Sequence, residues 1–134
     1  MLNRRHLRVK VLQALYAHFQ TDGSEVSQQE KRLVLSIESI YDLYIYLLSS
    51  LIEVRDFASN RMEDARLKFL PTEAELNPNT RFVENRFLEQ LSNNRSLRKN
   101  ITRLSVSWAD HQEIIRKIFL AFRDSEAYSA FMEK

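Results

Sequence analysis

The sequence predicts an all-α protein, and three observations carry that prediction. Glycine occurs once and proline twice in 134 residues, against an ordinary glycine usage of roughly 7%. Strands are joined by tight turns that draw on Gly, Asn and Pro, so an all-β or doubly wound fold is not expected. Apolar residues instead recur at spacings of three and four over most of the chain, the period of a helix with one covered side. The length suits a single domain, and 44% hydrophobic content is enough to build a core. The expected architecture over 1–134 is a helical bundle with one long central helix.

Each element follows from local spacing. Residues 1–20 contain a basic amphipathic helix in which Leu12, Leu15, Tyr16 and Phe19 share one side and are expected to enter the core. Thr21-Asp22-Gly23-Ser24 reads as a turn, and Ser27-Gln28-Gln29-Glu30 has the capping-box pattern. A long helix over 27–70 follows. Leu33, Ile37, Ile40, Tyr44, Leu47, Leu51, Val54 and Ala58 alternate by four and three, a seam of period 3.5. A second stripe, Tyr41, Ile45, Leu48 and Ile52, widens the apolar surface. Residues 71–79, with Pro71 and Pro78, form a connection, because each proline biases its predecessor out of the helical region. Further helices fill 80–134: one from near Thr80, a break at Asn93-Asn94, a cap signal at Asp110 with Glu113, and a short closing helix with Tyr128, Phe131 and Met132.

Charge is unevenly placed. Residues 1–21 hold Arg4, Arg5, Arg8 and Lys10 and no acid, a charge of +4, while the rest of the chain holds 16 basic and 18 acidic groups. A basic start on a slightly acidic body suits a polyanionic partner. At 100° per residue Arg4, Arg5 and Arg8 fall within an arc of about 100°, and their guanidiniums can fork onto phosphates. Cations at a helix start oppose the helix dipole, so an anionic partner is a reason for placing them there. A second basic cluster, Arg95, Arg98, Lys99 and Arg103, places residues 95, 99 and 103 on one helical side.

Catalysis finds little support. The single glycine excludes glycine-rich phosphate loops, and the absence of cysteine excludes disulfides, thiolate metal sites and a Cys nucleophile. His6, His18 and His111 share no short metal-ligand spacing. Carboxylates mostly stand beside basic residues, as in Glu63-Asp64-Ala65-Arg66, the pattern of a solvated helix face. No enzyme, metal or cofactor is expected. A membrane span is not expected either, since the uncharged run Leu43 to Ile52 is about half the length needed. Cysteine usage points to an intracellular, cytoplasmic protein.

The stretch Arg4-Arg5-His6-Leu7-Arg8-Val9-Lys10-Val11-Leu12-Gln13-Ala14-Leu15-Tyr16 resembles the opening of the transcription antitermination factor NusB family. That family begins with an arginine-rich helix passing into Gln-Ala-Leu-Tyr. His6 stands where the family has its middle arginine. Tyr41-Asp42-Leu43-Tyr44 and Asn77-Pro78-Asn79-Thr80-Arg81-Phe82-Val83 also look like the N-terminal region of a longer branch of the family. The resemblance implies an all-α fold and no catalysis. It implies binding of boxA-type single-stranded RNA together with NusE, a small-subunit ribosomal protein, within an antitermination complex on RNA polymerase. By the same resemblance Arg4, Arg5, His6, Arg8, Lys10, Gln13 and Tyr16 would meet the RNA. Nothing after Ser107 resembles the family's C-terminal half, so residues 1–134 are expected to be the N-terminal part of a longer protein.

Two other classes compete. One is a helical protein–protein interaction module whose basic N-terminus is incidental. The other uses the first helix on an anionic membrane, which the assignment of Leu12, Leu15, Tyr16 and Phe19 to the core disfavours. No small-molecule substrate is expected.

Overall fold

The computed structural model describes residues 3–21 and 25–133. Its elements are α1 (Arg4–Gln20), α2 (Val26–Arg66), α3 (Glu73–Leu76), α4 (Arg86–Ser92), α5 (Arg95–Arg103), a 3-10 turn (Ala109–His111), α6 (Gln112–Arg123) and α7 (Glu126–Glu133). The protein is all-α, with no strand among the described residues, and α2, at 41 residues, is the longest element. The chain divides into two compact units, Met1–Tyr44 and Ile45–Lys134.

In the first unit Asn3 caps α1. Its Oδ1 accepts from the His6 N–H at 3.0 Å, satisfying one of the amides that a helix start leaves open. The Thr21 hydroxyl donates to the Ala17 carbonyl at 2.9 Å as the helix ends. The turn expected over 21–24 lies, Thr21 aside, outside the described residues. Helix α2 already begins at Val26, so Ser27 falls inside it and does not mark its start. A cap residue must be extended. Thr72, with ψ at 163°, meets that condition and forms a complete capping box with Glu75 at the head of α3, inside the expected connection.

The second unit is built from short helices with polar punctuation. Asn85 Oδ1 accepts from the Phe87 N–H at 2.9 Å and opens α4, six residues after the expected Thr80. Asn94 Oδ1 accepts from the Leu97 N–H at 2.9 Å and opens α5, so the break at Asn93-Asn94 is real. After α5 the chain reverses through a left-handed residue, Ser105, with φ at 51°. The Ser105 N–H donates to Thr102 and the Val106 N–H to Ile101, closing the last carbonyls in a Schellman arrangement. Glycine usually fills that left-handed position; here a serine does. Asp110 does not cap α6: it lies in the 3-10 turn, and His111, exposed beside the Trp108 ring, precedes the helix without a capping side chain.

The core of this unit joins Val54 and Ala58 of α2, Phe82, Leu88 of α4, and Ile115 and Phe119 of α6. Phe57, Trp108, Tyr128, Phe131 and Met132 pack around it. Ring pairs run from Phe57 to Phe119 at 5.5 Å, from Phe82 to Tyr128 at 5.7 Å and from Phe122 to Tyr128 at 5.1 Å, separations and tilts that favour edge-to-face contact. Arg81 lies over the Phe131 ring at 5.1 Å, and Asn79 Nδ2 donates to the Met132 carbonyl at 3.1 Å. These two contacts tie residues 79–81 to α7.

The expected seam of α2 is half-buried at Leu33, Ile37 and Ile40, exposed in its middle and fully buried only at its far end. Val54 and Ala58 are buried, whereas Tyr44 and Leu47 are 55% and 59% exposed and Leu51 is exposed as well. At that level the helix turns its second stripe inward: Ile45 is buried and Leu48 and Ile52 are half-buried. A helix with two adjacent apolar stripes does not encode which one its neighbours will cover. Trp108, packed on the Ser49 side, decides it here. By length and composition α2 reaches the measure of a membrane-crossing helix, which the run Leu43 to Ile52 alone does not, and 17% of that stretch is buried.

Candidate nucleic-acid interface

The basic residues of α1 form the candidate site, and helical geometry sorts them into two sides. Arg4, Arg5, Arg8, Leu12, Leu15, Tyr16 and Phe19 fall within an arc of about 120° at 100° per residue, and all seven are exposed. The half-buried residues Leu7, Lys10, Ala14 and His18 mark a different side. That side faces the start of α2 across an open groove lined by Val11, Ala14, Leu15, His18, Glu30 and Leu33. The core assignment of Leu12, Tyr16 and Phe19 is therefore corrected, and Leu15, exposed as well, reaches only that groove. The bulkier side chains Leu12, Tyr16 and Phe19 point to solvent.

The arginines are unneutralised. Among the described residues no carboxylate lies in ion-pair range of Arg4, Arg5 or Arg8, and the first turn of α1 has no acidic residue. Their side of the helix runs from a cationic end at Arg4 to an aromatic end at Phe19. At 1.5 Å per residue that path is about 22 Å. Tyr16 is 68% and Phe19 79% exposed, and the His18 ring meets Phe19 edge-on at 5.6 Å.

Compared with protein-family models, curated proteins and solved structures, the chain gives no match.

The remaining expected residues divide differently. His6 and Gln13 are exposed, and Lys10 is half-buried; all three lie outside the arginine arc, so the geometry does not bring them onto that side. Phe19 is the most exposed of the α1 residues whose apolar spacing looked like core.

In the second unit, Arg95, Arg98, Lys99 and Arg103 are exposed on α5, whose Leu97 is buried. Two of them are partly engaged: Arg98 Nε donates to the Ser92 carbonyl at 2.6 Å and Arg103 Nε to Asn100 Oδ1 at 3.3 Å. This unit also holds an open cavity of about 490 Å³, with Arg61, Lys68, Glu75, Phe119, Arg123 and Tyr128 in its wall. Lys68 pairs with Glu75, and Arg123 donates to Asp124 at 3.0 Å. Burial pushes the Tyr128 phenol up, opposed by the Arg123 charge. Burial, with Asp56 nearby, raises Glu53, while a hydrogen bond from Gln112 opposes the rise. Among the described residues no three His, Asp or Glu gather as a metal site.

Proposed function

We propose that this chain is a non-catalytic, RNA-binding transcription antitermination factor of the NusB type. In this reading it binds boxA-like single-stranded RNA together with NusE, within an RNA polymerase complex in the cytoplasm. The observation that carries the reading is the exposed trio Arg4, Arg5 and Arg8 on one side of α1, with no carboxylate in ion-pair range among the described residues. Arg4 and Arg5, in the first turn, oppose the dipole by about 0.3–1 kcal/mol each, a cost that bound phosphates would reverse. The resemblance of residues 4–16 to the family's opening helix supplies the substrate class.

The alternative is a helical protein–protein interaction module. The exposed seam residues Leu47 and Leu51 favour it, because helix-docking partners cover such rows. Both readings accommodate a protein partner, and RNA affinity separates them.

The test is a titration of labelled single-stranded RNA across salt. Three phosphate contacts give a log–log slope of about −2, so affinity should fall about 20-fold from 50 to 200 mM salt. Replacing Arg4, Arg5 and Arg8 with Gln should flatten that slope by about 2. A slope unchanged in the triple variant would reject α1 as the RNA surface and make Arg95, Lys99 and Arg103 the next candidates.

A further inference from the structure

We propose that Phe19, with Tyr16 beside it, is a platform on which unpaired bases of the bound strand stack. The inference rests on the RNA reading above and adds a residue and a mode of contact to it. Phe19 and Tyr16 are the two aromatic side chains of α1, both lie within the arginine arc, and both are largely exposed. They sit one helical turn apart, with a rise of about 4.5 Å between them. A large exposed ring costs solvation unless something covers it.

Charge complementarity selects the occupant. The cations and the rings lie in line along one side of the helix, cations first, within about 22 Å. A ligand that fills this side must offer anionic groups at one end and flat apolar groups at the other. A single strand does so, because its phosphates and bases are joined yet free to splay apart. Duplex RNA keeps its bases stacked inside and offers no face to a ring. A membrane-surface helix carries its basic residues across the axis from its apolar ones. In α1 the separation runs along the axis, and Ala14 and His18, half-buried on a different side, line the groove that faces α2.

The experiment compares wild type, Phe19→Leu, Phe19→Tyr and the Arg4/Arg5/Arg8→Gln variant of the full chain. The probes are an oligoadenylate, an abasic ribose-phosphate strand of equal length, and phosphatidylserine vesicles. Phe19→Leu should weaken oligoadenylate binding about 5- to 100-fold, the range that stacking of one base covers. Its salt slope should stay that of wild type, since no charge changes. Phe19→Tyr should restore affinity to within about twofold, and the abasic strand should bind wild type and Phe19→Leu alike. Equal oligoadenylate binding by wild type and Phe19→Leu, with loss in the arginine variant, would overturn the platform and leave the RNA reading standing. Equal binding by every variant would overturn both. Phe19-dependent capture of vesicles without RNA binding would overturn both in favour of a lipid surface.

Discussion

The indole N–H of Trp108 donates to the Ser49 hydroxyl at 2.9 Å, across 59 residues of sequence. Ser49 is buried in the middle of α2, and its own hydroxyl donates to the Tyr46 carbonyl at 2.8 Å. One oxygen thus accepts from a half-buried donor and satisfies a helical carbonyl. Tyr46 meets the same indole edge-on at 6.1 Å. Ser49 is therefore a polar residue that belongs to the core, and it fixes which side of α2 turns inward.

Ser49→Ala should cost about 1–3 kcal/mol, because it leaves the Trp108 N–H without its partner. Adding Trp108→Phe to Ser49→Ala should cost less than the two single changes together. Chemical denaturation of the three variants measures this. Strict additivity would mean that the bond contributes nothing.

Leu47→Ala should change stability by about 0.5 kcal/mol or less, since its side chain is mostly exposed and Ala is a good helix former. Ile115→Ala, at a fully buried site, should cost about 2–5 kcal/mol. Urea unfolding of both variants checks the contrast. Comparable losses would place the expected seam back in the core.

Glu75 should be the most acid-resistant carboxylate to observe. The Lys68 ammonium hydrogen-bonded to it, with further bonds from the Thr72 amide and hydroxyl, lowers its pKa from 4.5 to about 2. A depressed pKa stabilises the fold above the unfolded value. That contribution is lost as pH falls from about 4.5 through 2. Following the Glu75 side-chain resonance by NMR should give a midpoint near 2, and Glu75→Gln should abolish the associated acid fraying of α3. A midpoint near 4.5 would show the Lys68–Glu75–Thr72 contacts to be absent in solution.

Much of the secondary structure was legible because its signals are local. The asparagine break at 93–94, the long helix and the basic first helix follow from capping chemistry and spacing within a few residues. The capping box at Thr72–Glu75 was present in the sequence too. It went unread because the proline pair around it suggested only a connection, although Thr72 has the extended backbone that a cap needs. The three arginines were equally legible as candidates, since residue spacing alone places them on one arc.

What the sequence by itself determined is the all-α class, the long α2 and the cationic side of α1, because helix period, capping and charge act between near neighbours. Only the tertiary structure decided which apolar rows are covered. Periodicity marks Leu47 and Ile45 as apolar without ranking them. The choice was made by a side chain distant in sequence, Trp108 on Ser49. Burial is a property of pairs of surfaces. A single strand of sequence states only one surface of each pair, and so Leu47 reads as core until Trp108 is seen to cover the other side of α2.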